Sequence, residues 1–116
     1  MAKFIIDKRT RDEFCEYFVG YSVSRKIREE FDYAEIDLDE DYDPSTTGER
    51  RTLVYQYYNT IDWNNWSDVR KIVSVFENAL IDLEDLTENG NEIAEKKFRR
   101  LMRLVQKLDF PMRILA

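Results

Sequence analysis

Histidine is missing from this 116-residue sequence. Its absence removes His-based catalytic triads, His general bases and nearly every zinc site of familiar type. Cysteine occurs once, at Cys15, so no internal disulfide can form and no CxxC metal or redox motif exists. Glycine (three residues) and proline (two) are scarce, whereas turn-rich β-sandwiches need more of both. No apolar run approaches the roughly 20 residues of a membrane span. The N-terminal MAKFIID carries too short an apolar stretch for a signal peptide. These absences predict an all-α protein of the cytoplasm with no membrane partner, no cofactor and no metal.

What is present supports a packed core. Apolar residues make up 43% and aromatic ones 14%, too rich for intrinsic disorder. A chain of this length buries well over half of the surface it would expose unfolded, so residues 1–116 are read as a single helical domain. Its organising stretch is Glu49 to Leu80. There Leu53, Val54, Tyr57 and Tyr58, and then Val69, Ile72, Val73, Phe76, Ala79 and Leu80, follow the period of helices with one buried face. Between the two patterns Ile61, Trp63 and Trp66 alternate with polar residues, a composition suited to plugging the corner between packed helices.

The rest of the chain extends this to a compact bundle of about five helices. Residues 1–9 form a lead, extended through Phe4, Ile5 and Ile6. Thr10-x-x-Glu13 matches a capping box opening a helix over about Arg11 to Val19 that stops at Gly20. A second helix starts near Ser22 or Ser24 and carries Ile27, Phe31 and Ala34. Residues 35–48 read as a solvated acidic loop, and a third helix covers about Glu49 to Asn59. Ser67 is the expected cap of a fourth helix, with Asp68 in its first turn. That helix reaches about Leu86, and a turn at Thr87 to Asn91 follows. The fifth runs from about Glu92 to Leu108, burying Phe98, Leu101, Met102, Val105 and Leu108, and ends at Asp109-Phe110-Pro111. Residues 111–116 read as a flexible or strand-like tail.

Several side chains invite a chemical reading. Asp37, Asp39, Asp41 and Asp43 alternate like calcium ligands. A calcium-binding EF-hand loop needs Gly at its sixth position and Glu at its twelfth. Counted from Asp37 those positions hold Tyr42 and Gly48, and from Asp39 they hold Pro44 and Arg50. The motif fails both ways. Cys15 has no neighbour to lower its pKa and reads as a small buried hydrophobe. Asn65-Trp66-Ser67 matches a glycosylation sequon by accident. An enzyme using paired carboxylates would need two acids held in one pocket, and here the acids lie mostly in a loop.

The cations are more telling. Arg50, Arg51, Arg70 and Lys71 sit at the starts of helices three and four, where positive charge opposes the helix dipole, so each pair needs a partner. Local pairing to Glu49, Asp62 or Asp68 is the simplest one. The fifth helix carries Lys96, Lys97, Arg99, Arg100, Arg103 and Lys107, with no acid between residues 96 and 107. That face is a solvated surface, a docking surface for an acidic partner, or a phosphate-binding face. Residues 29–43 are its opposite, with nine carboxylates and no base. The two fields either face each other within one molecule or pair between copies, head to tail.

The run Gly48-Glu49-Arg50-Arg51-Thr52-Leu53-Val54, continuing through Tyr57-Tyr58-Asn59-Thr60-Ile61-Asp62-Trp63, is followed by Asp68-Val69-Arg70-Lys71 and Val75-Phe76-Glu77. In this order the elements resemble a helical N-terminal module of bacterial abortive-infection-type (Abi) phage-defence proteins. The likeness covers about residues 48–83. Residues 98–110 resemble the module's close, except that Asp109 is followed directly by Phe110 and Pro111, where the family pattern has Asp-Gly-Phe. In that family the module precedes a separate effector domain. The resemblance implies an adaptor or sensor and brings no catalytic residue to any position here.

The expectation is therefore a non-enzymatic protein-interaction module of an anti-phage system, acting through a protein partner or self-association. Its expected contacts are Arg50, Arg51, Arg70, Lys71, Lys96, Arg99, Arg100 and Arg103, with Trp63 and Trp66 if exposed. A nucleic-acid-sensing or regulatory role for the basic face of the last helix is the alternative.

Overall fold

A computed structural model describes residues 5–108 of the chain. Its five helices are α1 (Lys8–Tyr21), α2 (Ser24–Tyr33), α3 (Glu49–Tyr58), α4 (Trp66–Glu88) and α5 (Glu92–Gln106). No strand occurs among the described residues. The all-α bundle expected from the hydrophobic period is the architecture found.

The corner between α3 and α4 connects directly to the core. Trp63 is buried and meets the ring of Tyr58 edge-on at 5.3 Å. Tyr58 in turn presents its ring edge-on to Phe76 of α4 at 6.3 Å. Phe76 stacks on Phe14 of α1, ring centroids 4.0 Å apart and planes 6° from parallel. A second aromatic path joins Phe18 of α1, Phe31 of α2 and Tyr57 of α3. The corner tryptophan is thus the outer end of a chain of rings reaching the bundle centre. Aromatic pairs of this kind add about 0.5–1.5 kcal/mol each beyond their buried area.

Every apolar position read on α4 (Val69, Ile72, Val73, Phe76, Ala79, Leu80) is buried. The α4–α5 connection turns at Gly90, whose φ of +88° suits glycine. α5 then folds back along α4 and also packs on α1, while α2 packs on α3 and α4, and α3 packs on α1. The molecule is therefore layered, with α2 and α3 to one side of α1 and α4 and with α5 to the other. A Cα radius of gyration of 13.8 Å fits a compact chain of this length, for which about 13 Å is usual.

Several local expectations need correction. α1 begins three residues before Arg11, with Asp7 at its N-cap. Thr10 donates its hydroxyl to the Asp7 carboxylate from inside the first turn, and Glu13 turns away to bind α5. There is no capping box. Gly20 lies inside α1, which ends at Tyr21 with Ser22 as its C-cap. α2 starts at Ser24 behind Val23, so neither serine caps it. The cap of α4 is Asn65, whose side chain accepts the backbone N–H of Ser67, so Ser67 is the capped residue. Thr87 and Glu88 belong to α4 rather than to the turn. The expected end at Asp109-Phe110-Pro111, the tail 111–116 and Phe4 lie outside the described residues.

The acidic segment 35–48 is irregular, as expected, but it is not simply solvated. Ile36 is buried and Leu38 packs against the core. The Asp39 N–H donates to the Gln56 carbonyl, and the Gln56 side chain donates to the carbonyls of Glu40 and Tyr42. Thr60 donates to the Asp37 carbonyl and Asn59 to the Asp39 carboxylate. Apolar side chains turned inward lay the segment along α3 as an arm, with its carboxylates on the outside.

Candidate docking surface

Helix α1 positions the site because its outer face carries Glu13 and Glu16 one turn apart. Residues three apart on a helix share a face. Glu16 accepts two hydrogen bonds from the Arg51 guanidinium of α3, at 2.9 and 2.7 Å. Glu13 accepts from Arg100 at 2.8 Å and Lys97 at 3.4 Å, both on α5. The two carboxylates thus tie α3 and α5 to the same helix. Both are held below the usual carboxylate range, Glu13 mainly by the bond from Arg100 and Glu16 mainly by the bond from Arg51.

The arginines at the start of α3 are engaged across the fold, not with Glu49, Asp62 or Asp68. Arg51 binds Glu16 and also donates to the Thr47 carbonyl. Arg50 donates to the Ser22 carbonyl at 2.9 Å, bracing α3 against the end of α1. Between them, Val19, Val23 and Gly48 line a cleft of about 400 Å³. Asp68 does not pair with Arg70 or Lys71; it accepts the backbone N–H of Asp62 and secures the aromatic corner. Arg70 and Lys71 are exposed and form no ion pair among the described residues.

The two tryptophans separate in role. Trp63 is buried with the Arg11 guanidinium 4.6 Å above its ring, so it is structural. Trp66, the first residue of α4, is 41% exposed. The short α4–α5 connection runs α5 back along α4, but with 15 residues against 23 it ends about two turns short of Trp66. Trp66, Arg70 and Lys71 sit on the first turns of α4.

On α5 the cations divide by face. Lys97 and Arg100 reach across to Glu13, and Arg99 pairs within the helix to Glu95 at 2.5 Å. Lys96, Arg103 and Lys107 are exposed, with no ion pair among the described residues. The exposed residues Lys96, Arg103 and Lys107, with the adjacent pair Arg99 and Arg100 between the first two, follow the three-to-four-residue helical repeat and form one stripe. Sequence reasoning reached this stripe but missed Glu13, which fixes its place, and Glu16, which ties α3 to the same helix. Two acids on the outer edge of α1, matched by cations on α3 and α5, were the available signal.

A cavity of about 600 Å³ opens where Lys8, Arg11, Tyr42, Tyr55 and Trp63 meet. Its cations are already matched, Lys8 by Asp12 at 2.7 Å and Arg11 by the face of Trp63. Cys15 is fully buried and burial pushes its thiol up to about 12, so it stays protonated. No group of three or more His, Cys, Asp or Glu side chains able to hold a metal occurs among the described residues. No described helix is long and apolar enough to cross a membrane. Compared with known proteins, the chain matches no family model, no curated protein and no solved structure.

Proposed function

We propose that this bundle is a non-enzymatic interaction module that docks an acidic protein surface through the α5 stripe. The observation that carries the reading is the division of cations on one helix. Lys97 and Arg100 fasten α5 to Glu13, and this fixed base presents Lys96, Arg103 and Lys107 to solvent as a row of like charge. A row of like charges on a rigid element attracts a complementary surface and repels a similar one. Trp66, Arg70 and Lys71, exposed on the first turns of α4, offer a second patch in the aromatic-plus-arginine composition typical of binding hot spots. The resemblance of residues 48–83 to the abortive-infection module supports reading such a surface as that of a cytoplasmic adaptor or sensor serving an effector in bacterial anti-phage defence.

The test is fluorescence anisotropy with a labelled glutamate-rich peptide, run in parallel with a labelled DNA oligonucleotide. The expected outcome is salt-sensitive peptide binding that K96E/R103E abolishes while the helical circular dichroism is retained. Tighter binding to the oligonucleotide, lost in the same variant, would replace this reading with the nucleic-acid one. Binding of neither probe would remove the stripe as a docking site.

A further inference from the structure

We propose that the partner of the α5 stripe is the acidic arm, residues 35–48, of a second copy of this chain. The inference rests on the docking reading above and adds the identity of the acidic surface. Its basis is the layering of the fold. The arm is fastened to α3 by hydrogen bonds from Asn59 and Thr60 and to both Glu40 and Tyr42 through Gln56. The stripe is fastened to α1 through Glu13. α1 packs against both α3 and α5, and among the described residues no ion pair joins an acid of residues 29–43 to a base of residues 96–107. The two fields are thus held apart within one molecule.

The arm is built to meet something positive. Glu35, Asp37, Glu40, Asp41 and Asp43 are exposed, and no base lies between residues 29 and 49. Burying Ile36 and Leu38 fixes the backbone, so the carboxylates are presented with little freedom left to lose on binding. Because the net charge of the chain is −6, two copies repel at long range. Arm on stripe is the arrangement that sets the densest row of each charge against the other. With the two patches held apart on the molecule, such a contact is heterologous and builds rings or filaments.

The experiment is sedimentation velocity over a concentration series at about 50 mM and about 0.5 M salt, where the screening length shrinks from about 14 to about 4 Å. Two charge-reversed proteins are compared with the wild type, E40K/D41K on the arm and K96E/R103E on the stripe. Among the described residues none of these four side chains makes an ion pair or side-chain hydrogen bond, and circular dichroism checks that both variants remain helical. The wild-type protein is expected to grow in mass with concentration at low salt and to dissociate at high salt. Each variant alone is expected to associate at least about tenfold more weakly. Mixing the two variants is expected to restore association, because the wild-type stripe of one meets the wild-type arm of the other.

An assembly indifferent to salt or to both reversals would overturn the proposal. So would a wild-type protein of one chain mass throughout. Titrating that monomer with a synthetic peptide of residues 35–48 then separates the two failures. Peptide binding keeps the docking reading and rejects the self-partner, whereas no binding rejects both.

Discussion

The stack of Phe14 on Phe76 offers the sharpest test of how the core is held. Both rings are essentially excluded from solvent, at 0% and 1% exposure, with centroids 4.0 Å apart and planes nearly parallel. If the planes sit about 3.5 Å apart, at van der Waals contact, the rings are offset by only about 2 Å and overlap over much of their area. Replacing either with leucine keeps an apolar side chain and removes the ring face, at a cost of about 1–2 kcal/mol. Once the first ring has gone, the second has no stacking partner to lose. The two costs should therefore fail to add, with a coupling of about 1 kcal/mol. Urea unfolding of wild type, F14L, F76L and F14L/F76L, followed by far-ultraviolet circular dichroism, supplies the four stabilities. Additivity within about 0.3 kcal/mol would mean that the rings merely fill volume and that the ring chain from Trp63 inward carries no stacking energy.

Further outcomes follow from single groups. Glu13→Gln should lower the melting temperature at neutral pH by more than it does in acid. Glu13 is held below its ordinary value, so its contribution is present above the usual carboxylate range and fades as pH falls through the lowered one. A pH-independent difference would mean that the lost interaction was not the charge. Gly48→Ala should cost about 1–2 kcal/mol, because φ is +94° there while an added Cβ would meet only the Arg51 side chain at 3.8 Å. Gly20→Ala, inside α1 with nothing within 4 Å of a new Cβ, should instead gain about 0.5 kcal/mol; thermal unfolding of the two variants reads both signs. Cys15 should resist a thiol reagent in the native protein and react on denaturation. Rapid native labelling would contradict its burial.

The helices were legible because α4 and α5 repeat their apolar residues at a period only a helix can bury. Caps were less so. Thr10 fits the spacing of a capping box, yet Asp7, three residues earlier, takes the N-cap position and accepts the Thr10 hydroxyl, which leaves Thr10 inside the helix. Asn65 and Ser67 posed the same ambiguity over two residues. Sequence shows which residues are neighbours along the chain, so local partners were assigned to Arg50 and Arg51 when the real ones were the Ser22 carbonyl and Glu16. The arm was read from its charge alone. Ile36 and Leu38 alternating with Asp37 and Asp39 is a period-two signal of an extended segment with one side buried, and it was there to be seen.

The clasp made by Glu13 also bears on how the chain is born. Its partners Lys97 and Arg100 follow it by 84 and 87 residues, about three-quarters of the 116-residue sequence. During synthesis at about 5–20 residues per second, α1 waits about 4–17 s for the helix it must grip. Over that interval the face of Phe14, Tyr17 and Phe18 has no finished core to enter. Resistance to protease in a translating system should therefore arrive abruptly with the emergence of α5, rather than accumulate helix by helix.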